Sequence, residues 1–503
     1  MDELRKIMND FEIKKNMKNT LVDQNSRNMS HIHFQKKLNS EVNAICLTSM
    51  TFDSVLTEAI EGLEHYETRC LWEISKAVTD GINVHYFSKR AVCREAIEHF
   101  FQVFSISKED QKRISFYSVE AILNRSNLPD DLSDYVLGSE KVRAVFKRLS
   151  EKKNSYLECF VLTPKENSIS KEFNLPTYWK HPKVDYFKTK SGNRMLLEGV
   201  TNLARGYRDL FTVEEVVEAL MKLRSETHSQ KFVIKLNDGV SGDGNGFVEI
   251  ISEVPNEYQI RQALIETKFV SSKMTYTKFF REFAKLGGVV EEFIDGKNKR
   301  SPSVQIFLHP NDEFEILSSH EQILDETGAR FLGAKFPALG AHRKNIISEA
   351  AKVAQKLLAN KIYGIVGLDF LTTEDNSVLN TYLIELNLRK GGTTHPYWTA
   401  KAALGDVGIC DYTGKFILGN KSLRSYQSND NLICQNQSAS RSLKCLMSKL
   451  EMHKLLFCHQ KKKGVILHML NSYVPAGKIG AIFIGETDQE IQEYEQSLVN
   501  LIG

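Results

Sequence analysis

The sequence predicts a mixed chain, α/β in its first part and α+β in its second, with more than one domain. Three observations carry this expectation. Short β-rich runs alternate with amphipathic helical stretches over 41–185, the pattern of a parallel sheet with crossover helices. Two β-rich runs flank a four-glycine loop within "FVIKLNDGVSGDGNGFVEI" (232–250). Two further strands, "YGIVGLDFL" (363–371) and "LIELNLRK" (383–390), carry acids on otherwise apolar runs and are spaced to pair as a hairpin.

Taken in order, residues 1–40 are polar and read as a partly ordered arm. In the α/β region, "NAICLTSM" and "INVHYFS" are strands separated by a helical stretch around Tyr66–Val78, which Gly81 ends. "KVRAVFKRLSEK" (141–152) reads as helix and "LECFVLT" (157–163) as strand. Residues 186–420 hold most of the chemistry. The stretch 421–444, "KSLRSYQSNDNLICQNQSASRSLK", is rich in Ser, Asn and Gln and is expected to be a linker or insertion, reaching to about 450. The tail, 451–503, reads as a small α+β domain: two strands, "GVILHML" and "KIGAIFIGE", then a helix opened by a capping box at Thr487 and Glu490.

Composition narrows the function classes. A chain of 503 residues, 42% apolar and 26% charged, has enough material for sizeable cores. A formal net charge of +3 gives no nucleic-acid or membrane footprint. The eight cysteines are scattered, with no CxxC, so zinc-ribbon and thioredoxin-type readings have no support and a reducing compartment suits them. The start, "MDELRKIMNDFEIKKN", has no apolar core of a signal peptide, and no run approaches about 18 apolar residues, so a cytoplasmic location is expected.

The glycine loop is not a Walker loop, because no Lys follows it and the next run is a strand. Gly239, Gly242, Gly244 and Gly246 are expected to permit positive φ and close approach to a ligand, with successive N–H groups forming an anion nest. Lys235, on the entering strand, adds a point charge against phosphate. In "GGVVEEFIDG" (287–296), the strand end Glu291-Glu292-Phe293-Ile294 offers backbone N–H and C=O groups beside apolar side chains, which suits an adenine ring. Taken alone, each segment also fits an ordinary polar hairpin or strand end.

Asp369 lies in an apolar strand, and Glu385 and Asn387 follow on the next. Two carboxylates about 4 Å apart repel by roughly 4 kcal/mol at an effective dielectric of about 20. A cation between them removes that cost, and all-oxygen ligands suit Mg²⁺ beside phosphates. A structural salt bridge to Arg389 or a nearby Lys is the alternative. Strict alternation puts Ile384, Leu386 and Leu388 on the apolar face, and Glu385, Asn387 and Arg389 on the other. Arg389 would reach a transferring phosphoryl group, and Gly391-Gly392 would let the backbone pass close to the reacting centre.

The order of these motifs resembles the ATP-grasp superfamily and, within it, the pheganomycin-type peptide ligases. The matching stretches are "HYETRCL" (65–71), "KTKSGNR" (188–194), "VIKLNDGVSGDGN" (233–245), "VVEEFIDG", "SPSVQ" (301–305), "LSSHEQIL" (317–324), "VGLDF" (366–370), "IELNLRKGGTTHP" (384–396) and "GVILHMLNSYVPAGKIGAIFIGET" (464–487). The resemblance implies a pre-ATP-grasp α/β domain at 41–185, an ATP-grasp domain at 186–420 whose two subdomains clasp ATP, and a small C-terminal domain. It implies phosphate-binding lysines at Lys190 and Lys235, nucleotide contacts at Ser241, Gly242, Gly244, Asn245 and 291–294, and metal ligands at Asp369, Glu385 and Asn387 for Mg²⁺, with Mn²⁺ as a substitute. Lys235 and Arg389 are the expected catalytic charges, and Ser303, His320, Thr393 and His395 the expected substrate contacts. Many members carry an Arg two residues before the acid of the first metal strand; here that position is Gly367, so either Arg389 supplies the charge or the transition-state geometry differs. The implied activity is ATP-dependent joining of a small-molecule or peptide carboxylate to an amine through an acyl phosphate. A kinase, or an idle ATP-binding scaffold, would use the same site.

Overall fold

The structure, a computed structural model, describes residues 41–50, 63–178, 183–239, 244–326, 328, 330–375, 378–434 and 441–503. The α/β region forms as expected. Strands β1 (Asn43–Leu47), β2 (Asn83–Ser88), β3 (Ile114–Ser118) and β4 (Ser155–Cys159) make a parallel sheet in the order β3-β2-β1-β4. β1 and β4 are buried along their whole length, as strands of a parallel sheet covered on both faces are. The helical stretch after β1 is a 3₁₀ helix, Leu63–Ser75, continued by one short α-turn, Lys76–Thr79.

Helix α1 (Lys190–Leu197) leads into a five-stranded antiparallel sheet. Its strands are β5 (Gly206–Leu210), β6 (Lys231–Leu236), β7 (Asn245–Glu249), β8 (Lys268–Phe269) and β9 (Gly288–Glu292), in the order β5-β9-β6-β7-β8. Helices α2 (Val213–Thr227) and α3 (Tyr276–Leu286) cover it, and this lobe has its own core around Phe232, Ile234, Phe279 and Phe283. A reciprocal capping box between Thr212 and Glu215 opens α2.

The rest is dominated by an eleven-stranded sheet. It comprises β10 (Lys297–Arg300), β11 (Pro302–Leu308), β12 (Phe314–Leu324), β13 (Phe331–Phe336), β14 (Gly364–Asp375), β15 (Val378–Asn387), β16 (Gly408–Ile409), β17 (Phe416–Ile417), β18 (Leu423–Ile433), β19 (Gly464–His468) and β20 (Lys478–Gly485). Its main path is β10-β14-β11-β12-β13-β18-β17-β16; β15 pairs with β14, and β20 joins β18 to β19. Helices α4 (Gly340–Ala359), α5 (Thr394–Leu404), α6 (Leu443–Met452) and α7 (Asp488–Ile502) pack around it.

Two expectations are corrected here. The Ser/Asn/Gln-rich stretch is not a linker over most of its length: 423–433 is β18, paired with β13 and β20. Several of its polar side chains are buried, and Gln427 donates to Glu495 Oε2 at 2.5 Å. Residues 435–440 of that stretch, like the arm at 1–40, lie outside the described residues. The C-terminal strands are also not a separate layer; β19 and β20 extend the large sheet, and Thr487 caps α7 as expected.

A buried quartet pins the α/β region to this sheet. Lys390 pairs with Glu73 and, at 2.8 Å, with Glu158 on β4, while Lys76 reaches the same two acids at 2.6 and 2.9 Å. One apolar core runs from β1 through β11, β14 and β15 to β20.

Candidate active site

The β14–β15 hairpin places the acids. Asp369 lies directly opposite Glu385, and Gly367 opposite Asn387. A bulge interrupts the register between Asp369 and Phe370, which pairs with Leu383. The strict alternation expected for this strand therefore breaks: Leu383 is in the core with Leu386 and Leu388, while Ile384 lines a cleft together with Glu385. The same row continues across the sheet, since Ser303 on β11 is opposite Asp369 and His320 on β12 is opposite Ser303.

Asp369 Oδ1 accepts from Gln322 Nε2 at 2.5 Å, and Oδ2 from Asn387 Nδ2 at 2.8 Å. Burial, and then the neighbouring Glu385 charge, push its carboxyl up to about 7. Glu385 is held in its charged form: burial opposes ionisation, but the Lys190 ammonium, which donates to Oε1, takes its carboxyl below the ordinary range. Lys190 is the first residue of α1, capped by Thr189. Arg389 is one strand step beyond Asn387; burial pulls its guanidinium down against the charges of Glu385 and Asp369. Paired acids that can ionise together only at a cost, in an all-oxygen setting, fit a bound Mg²⁺.

These groups share a cleft of about 800 Å³ with the second lobe. Lys235, Asn245, Phe247 and residues 291–294 form one wall, and Ser303, Gln322, Phe331, Asp369, Glu385, Asn387, Arg389 and 391–393 the other. Gly392 is there for space: a Cβ would lie 2.6 Å from the Phe331 ring. Gly367 is different, since a Cβ there meets only Asn387 Cβ at 3.7 Å.

The Glu291 side chain, on the cleft wall, is already engaged within the protein. Its carboxylate is taken by Lys235 Nζ at 2.5 Å and Arg194 NH1 at 2.7 Å, so it positions the lysine from inside β9. The Glu292 N–H donates to Arg205 C=O and the Phe293 N–H to Lys231 C=O. Among the described residues no protein group takes the Ile294 N–H. Phe293 packs edge-on against Phe247, with Lys299 Nζ 3.9 Å from its ring centre.

The glycine loop is described only in part, because Ser241 and Gly242 lie outside the described residues. Gly239, Gly244 and Gly246 do not have positive φ, contrary to expectation. Gly246 serves packing: a Cβ there would lie 2.6 Å from Thr267 Cγ2.

Of the expected substrate contacts, Ser303 and Thr393 line the cleft. Ser303 Oγ is buried and has no partner among the described residues. His320 and His395 do not reach the cleft. His320 is fully buried, hydrogen-bonds Tyr426 Oη at 2.8 Å and is driven down to about 3 by burial. His395 turns to Asp430 and His468, with its Nε2 3.3 Å from Asp430 Oδ1. Sequence reasoning gave no role to Arg69, Arg194 or Gln322. Arg69 lies within the quoted "HYETRCL" stretch and lines the cleft with Tyr66; only the fold shows that the 3₁₀ helix reaches it.

Comparisons with known proteins agree with this geometry. A family profile described as IQCH-like, ATP-grasp matches residues 248–391, and one described as PGM1 C-terminal domain matches residues 446–498. The chain is 22% identical over 342 residues to "IQ motif-containing protein H" of Danio rerio, covering 61% of this chain and 32% of the relative. It is 22% identical over 380 residues to "L-propargylglycine--L-glutamate ligase" of Streptantibioticus cattleyicolor, covering 74% of this chain and 75% of the relative. The chain thus spans about a third of the first relative's length and three quarters of the second's. Among solved structures, an N5-carboxyaminoimidazole ribonucleotide synthetase from Thermus thermophilus superposes with a TM-score of 0.52 at 13% identity, covering 92% of this chain and 99% of that one. The biotin carboxylase domain of the Hydrogenobacter thermophilus 2-oxoglutarate carboxylase, in complex with MgADP, superposes with a TM-score of 0.53 at 13% identity, covering 91% and 89%. With two lobes around a cleft that holds Lys235, the acid row and the hinge, the chain has an ATP-grasp fold.

Proposed function

We propose that the chain is an ATP-dependent carboxylate–amine ligase that forms an amide through an acyl phosphate. The observation that carries this is one cleft holding Lys235 and Arg389 beside the row Asp369, Glu385 and Asn387, with Lys190 paired to Glu385. Lys190 and Lys235 hold the nucleotide phosphates, the Ile294 N–H reads adenine, and the Phe293 ring covers it. Asp369, Glu385 and Asn387 hold Mg²⁺, which neutralises phosphate charge when bound. Arg389 clamps the phosphoryl group passing from ATP to the substrate carboxylate. The amine then attacks the acyl carbon and phosphate leaves. Ser303, Thr393 and Arg69 line the acceptor side. Most of the work is positioning and charge neutralisation.

The names of the relatives support this reading, since one is a ligase of two amino acids. A small-molecule or peptide acid and an amine are therefore the proposed substrates. The eight free cysteines fit a reducing cytoplasm, and no helix among the described residues is long and apolar enough to cross a membrane.

The test is an ADP-release screen over pairs of amino acids and short peptides, with mass spectrometry of the products. A cognate acid given ATP and hydroxylamine should yield a hydroxamate. Accumulation of a stable phosphorylated alcohol, with no hydroxamate from any acid, would replace this reading with a kinase.

A further inference from the structure

Behind the cleft, three side chains converge from three distant parts of the chain. His395 is the second residue of α5, just after the cleft segment 391–393; Asp430 is on β18; His468 ends β19. All three are buried, and one ligand atom from each lies within 4.8 Å of the others. Asp430 Oδ1 is 3.3 Å from His395 Nε2 and 3.4 Å from His468 Nε2. None of these atoms makes a hydrogen bond of acceptable geometry among the described residues. Buried polar atoms are nearly always partnered, so three that face one another need a reason.

We propose that His395, Asp430 and His468 bind a divalent transition-metal ion, zinc by preference, at a site separate from the acid row of the cleft. Zinc takes nitrogen and oxygen ligands at about 2.0–2.1 Å in a tetrahedron, whose ligand–ligand edges are then about 3.3 Å. The two measured edges to Asp430 match that spacing. The nitrogen-rich donor set suits zinc, whereas the all-oxygen row at Asp369 suits Mg²⁺. The surroundings orient the ligands. Arg69 binds Asp430 through Oδ2 and leaves Oδ1 turned to the imidazoles. Gly480 makes room for the His468 ring, since a Cβ there would lie 1.9 Å from its Cε1. A hydroxide or chloride in the fourth position would offset the Arg69 charge. The ion would tie the helix behind the acceptor loop to the C-terminal strands, and so fix the wall that carries Thr393.

The test uses the full chain, stripped with a chelator and held in excess Mg²⁺ to occupy the cleft. Cobalt(II), added as a spectroscopic probe, should bind at one equivalent with the strong visible bands of a tetrahedral ion and be displaced by zinc. X-ray absorption of the zinc-loaded wild type should count two imidazoles and one carboxylate. His468→Gln and Asp430→Asn should abolish this binding, and Glu385→Gln should retain it. Absence of stoichiometric cobalt binding by the wild type overturns the proposal. So does a site lost in Glu385→Gln but kept in His468→Gln. Should the histidine or aspartate variants fail to fold, the wild-type titration and ligand count decide alone.

Discussion

Replacing Glu385 with Gln removes one charge from the cleft with little change in shape. The carboxylate is opposite Asp369 and receives the Lys190 ammonium. A unit charge about 4 Å from another interacts by roughly 4 kcal/mol at an effective dielectric of about 20. A dication between Asp369 and Glu385 feels more than this, but most of it is shared by the ground-state nucleotide complex. If about 3 kcal/mol is specific to the transition state, turnover falls by roughly 10²-fold. The site loses one anionic ligand and so binds the metal less tightly, although Asp369, freed of the Glu385 charge, ionises more readily; Lys190 loses its partner. The assay is steady-state ADP release with the acid and amine that the screen returns, alongside binding of a fluorescent ATP analogue against Mg²⁺ concentration. Turnover should drop about a hundredfold, and nucleotide affinity should lose much of its Mg²⁺ dependence. Turnover within about threefold of wild type, with Mg²⁺ dependence unchanged, would refute the metal assignment.

Three further outcomes follow from the same geometry. Asp369 titrates at about 7 in the folded chain against an ordinary 3.8, so its contribution to stability is complete below the lower value and is lost as pH rises through the upper one; the melting temperature without metal should fall between about pH 5 and pH 8, less so in Asp369→Asn, and Mg²⁺ with nucleotide should raise it most at the higher pH. Lys390→Met removes one of the two cations that hold Glu73 and Glu158 and should cost about 3–5 kcal/mol in urea unfolding, whereas Arg94→Ala, which breaks an exposed pair with Glu98, should leave the unfolding midpoint nearly unchanged. Arg389→Lys should slow ADP release at least about tenfold because an ammonium lacks the planar fork, and Gly367→Arg in that background should restore part of it, since a Cβ at Gly367 meets only Asn387 Cβ at 3.7 Å.

How far the sequence carried these conclusions depends on which contacts are local. Asp369, Glu385 and Asn387 were legible because two adjacent strands and a hairpin spacing fix their register. Strict alternation misplaces Ile384, because a bulge is a one-residue event that the apolar pattern does not reveal. His320 shares a row with Ser303 and Asp369, yet Phe336 and Tyr426 from later strands roof it over. No local pattern in "LSSHEQIL" records that cover. β18 was read as a linker because Ser, Asn and Gln dominate it, and the groups that satisfy its buried side chains lie far along the chain: Glu495 for Gln427, Arg69 for Asp430. The support that Glu291 gives Lys235 depends on Arg194, which lies about a hundred residues away in the chain and leaves no local mark.

The most direct test of the central claim follows an oxygen atom. If the acid is activated as an acyl phosphate, one of its carboxylate oxygens becomes the bridge to phosphorus and leaves with phosphate when the amine attacks. With a cognate acid labelled with ¹⁸O in both carboxylate positions, together with ATP, Mg²⁺ and the amine, the inorganic phosphate released should carry one labelled oxygen per turnover, and the amide product should keep the other. Phosphate that emerges unlabelled while amide forms, or label found in no product of ATP, would contradict the acyl-phosphate mechanism assigned to this cleft.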